Sequence, residues 1–272
     1  MERQQVLLFS KYDFCAKYPK KAEKYFVSFL SDLFFDWIIF AVDGNDINVD
    51  KLCKRNNKVL LIAEQKCVVT DNFGVNKVTY LASKNSFLNI KVKNGLDRSE
   101  ELSRNFFADL NSSIVVSGRV LVDNVVEHKY LLKCVGEGGS IDLKIGMDIK
   151  PNKKAIVFTE QSHLDCNART TVLVKSVVNS GARLEYNGKI YIDKNANKSV
   201  ATQANKNIIL SKNSQVISTP SLEILNNNVE CSHGSTSGYL DEEQIAYCQL
   251  FGIDIEEANK LLINGFLGLD IA

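Results

Sequence analysis

The 272-residue sequence has no C-x-x-C pair, no G-x-x-x-x-G-K-[ST] loop, no G-x-S-x-G elbow and no H-E-x-x-H helix. P-loop ATP hydrolysis, α/β-hydrolase chemistry and zincin chemistry are excluded with them. The stretch Gly136-Glu137-Gly138-Gly139 lacks the strand-to-helix setting of a dinucleotide fingerprint and reads as a turn. Charge of one sign is lacking too. The 33 Lys and Arg meet 32 Asp and Glu, a formal net charge of +1, which removes the electrostatic case for a nucleic-acid partner or an anionic membrane surface. The most apolar run, Leu33 to Val42, is broken by Asp36 and falls short of the ~20 residues a membrane-spanning helix needs. It reads as core, and no membrane role is expected.

What is present is a globular composition, 45% hydrophobic and 24% charged, enough for one large core or two modest ones. The seven cysteines (Cys15, Cys53, Cys67, Cys134, Cys166, Cys231, Cys248) are odd in number and scattered. With no signal-peptide pattern at the start, they are expected to be free thiols in a reducing compartment, and the expected location is cytoplasmic.

The pattern changes twice along the chain. In residues 1–67, Tyr18, Ala22, Tyr25, Phe26, Phe29, Leu30 and Leu33 recur at helical spacing, and short strands are expected at 38–42 and 59–63. This stretch reads as a small N-terminal α/β cap. Residues 68–238 read as many short strands. Ile141, Leu143, Ile145, Met147 and Ile149 alternate with Asp142, Lys144, Gly146 and Asp148, and Leu88, Ile90 and Val92 alternate with Asn89 and Lys91. A turn is expected at 98–107. Such spacing suits a sandwich, a barrel or a β-solenoid, and the asparagine runs 205–207 and 226–228, read as stacked polar turns, favour the solenoid. Residues 239–272 read as two helices, with capping patterns at Asp241/Gln244 and Asp254/Glu257 and Gly252 as the stop between them. They are expected both to cap the last coil and to offer a docking face.

One short segment carries the candidate chemistry. In Cys231-Ser232-His233-Gly234, an extended backbone puts Cys231 and His233 on one face, a soft and a borderline ligand together. A tetrahedral site needs about four ligands, so a partner would supply the rest. As a lone strand cysteine, Cys231 also reads as a small buried hydrophobe. The pair is not expected to be an activated nucleophile and base, which normally come from separate elements. Cys248 reads as core, and Arg183 as a surface charge or an ion-pair partner.

The segment Thr219 to Gln244, with Cys231-Ser232-His233-Gly234 and Leu240-Asp241-Glu242-Glu243 intact, resembles the C-terminal end of the SufD-type subunits of the SUF iron–sulfur cluster assembly family. Upstream, Gly188-Lys189-Ile190-Tyr191-Ile192, Ala196 and the run 203–211 extend the resemblance, which runs from about His163 to Phe266. SufB-type relatives share the fold but carry an E-H-E-A-T-T-like sequence where this chain has C-S-H-G-S-T.

The resemblance implies a right-handed parallel β-helix, mainly β, and a non-catalytic scaffold subunit. His233, with Cys231, would be a candidate ligand of a transient iron–sulfur cluster shared with a SufB-like subunit, with no cofactor held by this chain alone. His163 lies near a family histidine and reads as a structural hydrogen bonder. Leu240, Asp241, Glu242, Tyr247, Leu262 and Phe266 would dock a SufC-like ABC ATPase. Exposed strand edges over about 180–230 would make the isolated chain a homodimer. The rival readings are a SufB-like or purely structural interaction protein and a β-helix carbohydrate-active enzyme, whose clustered acid/base residues the sequence does not display. The N-terminal region departs from the longer, more helical one of SufD-type proteins.

Overall fold

The structure is a computed structural model that describes residues 6–9, 17, 19–22, 35–41, 44–97 and 101–268. The expected N-terminal amphipathic helix lies mostly outside them; only the short α1 (Pro19–Ala22) is described there.

Alternating apolar and polar residues build two long parallel sheets that face each other across a lumen. The first sheet contains β1 (Val6–Phe9), β2 (Trp37–Ala41), β4 (Lys58–Ala63), β6 (Lys77–Ala82), β8 (Glu101–Ala108), β10 (Val126–Cys134), β12 (Lys154–His163), β14 (Arg183–Ile192) and β16 (Gln215–Ile224). The second contains β3 (Gly44–Asn48), β5 (Lys66–Thr70), β7 (Phe87–Asp97), β9 (Ser113–Val122), β11 (Ser140–Ile149), β13 (Arg169–Val178), β15 (Val200–Ile209) and β17 (Glu230–Tyr239). Successive strands alternate between sheets, and each pairs in parallel with the strand one coil further on. Among the described residues, only β1, against β2, is antiparallel. This is a parallel β-helix. Its first coils are built from β2 to β5, so the solenoid starts inside the 1–67 stretch. Of the turn expected at 98–107, residues 98–100 lie outside the described residues and 101–107 belong to strand β8 instead, because its inward Leu102, Arg104 and Phe106 continue the coil.

Inward positions in the N-terminal and central coils are Val, Ile, Leu and Tyr with almost no exposure, each contributing about 1.5–3 kcal/mol of burial. One polar cluster interrupts them. The Arg104 guanidinium donates from Nε and Nη2 to both Asp71 oxygens and reaches the carbonyls of Val75 and Asn76, while the Tyr80 hydroxyl donates to Asp71 at 2.6 Å. This pins the 71–76 loop to the coil.

Corners between strands use left-handed residues: Asn111, Asn152 and Asn167 (φ 49°, 59° and 56°) with Gly138 and Gly181. Their amides bond to the next coil, Asn111 N–H to Glu137 O and Asn167 N–H to Asn197 O. Asparagine tolerates this conformation better than most residues, so polar corners stack. Asn226–Asn228 lie in such a corner between β16 and β17. Asn205 and Asn207 do not; they point inward from β15. The Gly136–Gly139 stretch is a turn.

The short α2 (Val49–Leu52) belongs to the first coils, and after β17 come α3 (Glu242–Leu250) and α4 (Ile255–Leu267), the C-terminal pair. Asp241 caps α3 by accepting from Glu243 N–H, and Asp254 caps α4 by accepting from Glu257 N–H. Gly252 takes φ 80° between them. No helix among the described residues is long and apolar enough to cross a membrane.

Candidate functional site

The site is the open C-terminal end of the solenoid. β16 and β17 are the last strands of the two sheets. Cys231 pairs in register with Ala201, His233 with Gln203, Ser235 with Asn205 and Ser237 with Asn207. Those four β15 residues are buried and point inward, so Cys231 and His233 share the inward face of β17. The alternation of a strand made this pairing legible from the sequence.

The two side chains meet different surroundings. Cys231 is half-buried and packs against the satellite cluster of Ile190, Ile192, Ala196 and Ala201. Burial pushes its thiol above the usual value, offset in part by its hydrogen bond with the Ala201 backbone. His233 is exposed, and beyond Gly234 nothing lies within 4 Å of an added Cβ. Imidazole is therefore the accessible donor and the thiol the shielded one. Two donors do not complete a cluster site. Among the described residues, no group of three or more His, Cys, Asp and Glu side chains could hold a metal.

Toward this end the lumen turns polar. The Tyr186 hydroxyl and Thr159 Oγ1 are 2.8 Å apart, and Gln203 Nε2 donates to Thr159 Oγ1 at 3.1 Å. Asn205 and Asn207 bond reciprocally, and Asn207 reaches Ser237. His163 Nε2 meets Thr170 Oγ1 at 2.7 Å, as expected of a structural hydrogen bonder. The isolated polar letters Gln203, Asn205 and Asn207 at every second position were the sequence signal for this lining. On β16 the inward Leu222 and Ile224, in register with Ile190 and Ile192, are left 42% and 41% exposed. Among the described residues, no element covers this end of the core.

The C-terminal helices do not provide that cover. α4 packs on β13, on the flank of the second sheet. Lys175 Nζ donates to the Phe266 carbonyl at 2.8 Å and lies 5.3 Å from the Phe266 ring, and Arg119 donates to Asn264 at 2.8 Å. The capping expectation is thus overturned: a cation on the sheet draws the carbonyl end of α4 sideways. Of the residues expected to dock an ATPase, Asp241 and Glu242 are exposed in the first turn of α3, with Asp241 serving as its cap. Tyr247 is exposed, and Leu240, Leu262 and Phe266 are half-buried. The apolar surface facing solvent is formed by Tyr247, Leu250, Phe251, Ile255 and Leu261, with Leu250 82% and Phe251 69% exposed. The spacing 247, 250, 251 marks one helical face, a signal the sequence reading passed over. Cys248 is buried, as expected.

A second concavity of about 550 Å³ runs across the outer face of the first sheet, floored by Leu131 and Phe158. Its lysines are already paired, Lys129 with Glu127 and Lys189 with Glu223. Glu160 is the one carboxylate among its lining residues, so a pair of catalytic carboxylates is not assembled there.

The profile of the SUF system FeS cluster assembly SufBD core domain matches residues 52–266, nearly the whole β-helix and both C-terminal helices. The chain belongs to the SufBD core family. It is similar to the iron–sulfur cluster assembly protein SufD of Escherichia coli, 32% identical over 146 residues, which is 52% of this chain and 34% of the relative. It is also similar to SufD of Plasmodium berghei, 22% identical over 238 residues, covering 85% of this chain and 17% of the relative. SufB of Bacillus subtilis is 29% identical over 105 residues, 39% of this chain and 23% of that protein. The chain therefore spans about a third or less of the length of these SufBD relatives.

Proposed function

We propose that this chain is a non-catalytic, SufD-type scaffold subunit of a cytoplasmic SUF iron–sulfur cluster assembly complex. Membership of the SufBD family supports the assembly role, and the intact Cys231-Ser232-His233-Gly234 segment favours the SufD type over the SufB type. The observation that carries the reading is an exposed imidazole, His233, in the inward column of a terminal strand whose outer edge pairs with no described strand. The cluster is cargo. A SufB-like partner seated on β16 and β17 would bring the missing donors and cover Leu222 and Ile224. Cys231, shielded among Ile190, Ile192 and Ala201, would be the secondary donor.

The exposed face of α3 and α4 would dock a SufC-like ATPase. Because Lys175 and Arg119 tie α4 to the second sheet, force applied to the helices would be delivered to the sheet whose last strand carries His233. Energy would enter at the ATPase, and this chain would transmit it. Without its partner, the chain would close its free edges against a second copy as a homodimer.

The test is iron and acid-labile sulfide content of the purified assembly complex. His233→Ala should lose most of both while the complex stays intact and its melting temperature moves little. Unchanged cluster content would remove His233 from the site.

A further inference from the structure

The inward position behind His233 is Gln203, its in-register partner on β15. Gln203 is 3% exposed and its carboxamide is held at one end, Nε2 donating to Thr159 Oγ1, itself bonded to the Tyr186 hydroxyl. The other end is not satisfied: Gln203 Oε1 is buried and has no hydrogen-bond partner. A buried carbonyl without a donor is costly and seldom kept without one. Gly188 across the lumen makes room for this oxygen, since a Cβ there would lie 2.3 Å from it. Paired strands stand about 4.8 Å apart, so the inward His233 side chain stands one strand spacing from Gln203, within reach of its oxygen. No described residue hydrogen-bonds to that ring.

We propose that Gln203 is a positioning residue for His233: a ring N–H of His233 donates to Gln203 Oε1, fixing one tautomer and aiming the bare nitrogen out of the open end. Histidine ligands generally donate their second ring N–H to such an acceptor, which fixes ring orientation and basicity. The Tyr186–Thr159–Gln203 chain supplies a rigid acceptor, with the amide nitrogen already engaged and only the oxygen left. The inference rests on His233 being the ligand, and its primary test does not need a cluster.

Ring ¹⁵N resonances of His233, assigned by their loss in His233→Ala, are recorded at pH 8 for the full chain and for Gln203→Met and Gln203→Glu. The wild type and Gln203→Glu, which both keep an acceptor, should show two widely separated ring nitrogens, the signature of one tautomer. In Gln203→Met the two shifts should move toward each other. Averaged shifts in the wild type, or identical shifts in folded Gln203→Met, would overturn the proposal. If Gln203→Met does not fold, Gln203→Asn, whose shorter amide cannot reach, takes its place with the same expectation. In the assembled complex, Gln203→Met should weaken iron retention about 10–100-fold. Loss of cluster in His233→Ala with no tautomer change in Gln203→Met would reject Gln203 and keep the ligand; the converse would keep the hydrogen bond and reject the ligand.

Discussion

Gly188 and Gln203 are complementary across the lumen: a Cβ on Gly188 would lie 2.3 Å from Gln203 Oε1 and 2.6 Å from its Cδ, so a missing side chain on one sheet houses a carboxamide on the other. Gly188→Ala should therefore destabilise the fold by about 1–3 kcal/mol, the usual cost of overpacking a filled core. Gly234→Ala, with nothing within 4 Å, should change stability by less than about 0.5 kcal/mol. Chemical denaturation of both variants checks this, and equal midpoints would contradict it.

His163 makes the fold sensitive to acid. Burial pushes its imidazole down from 6.5 to about 4, and its Nδ1 is buried without a partner. The unfolded chain takes up a proton near pH 6.5 and the folded chain only near pH 4. Between those values the unfolded state binds more protons, so stability falls as pH falls through the window. The full loss from this residue is on the order of 3 kcal/mol. Unfolding free energies measured from pH 7 to 4 should show the decline in the wild type and a shallower one in His163→Asn. Parallel curves would show that the ring is not held neutral.

The helical pair separates docking from packing. Leu250→Glu with Phe251→Lys changes the most exposed apolar residue of α3 and the exposed aromatic that caps its C-terminal end, and should leave the melting temperature nearly unchanged while abolishing co-purification of the proposed ATPase partner. Phe266→Asp removes the ring beside Lys175 and should instead loosen α4 from β13. If the α3 changes leave ATPase binding intact, the docking face lies elsewhere.

At the open end, Leu222→Lys with Ile224→Lys places charge on two uncovered core positions. Sedimentation should find the wild type as a two-fold dimer at micromolar concentration and the double variant as a monomer. A monomeric wild type would count against pairing through β16 and β17.

The β-helix was legible where strict alternation met a parallel coil, as in Ile141 to Ile149, because a period of two fixes which residues face the lumen. Placing Cys231 and His233 on one face followed from the same period. The start of the solenoid was not legible. Ile38, Phe40, Leu60 and Ile62 are buried although they alternate with buried Ile39, Leu61 and Ala63, and burial on both faces erases the alternation. Asn205 and Asn207 misled because local propensity assigns asparagine to turns, whereas here the pair satisfies itself inside the lumen. The lateral seat of α4 depends on Lys175 and Arg119, far away in sequence, which no local pattern encodes.

The proposed ligation of the complex's cluster by His233 of this chain is open to direct spectroscopic test. The most direct measurement is pulsed electron paramagnetic resonance on the reduced cluster, in a complex where only this chain carries ¹⁵N-labelled histidine. The account predicts a ¹⁵N hyperfine coupling of directly bound nitrogen that persists in His163→Asn and disappears in His233→Ala. A cluster-loaded complex with no such coupling, or one whose coupling survives in His233→Ala, would contradict it.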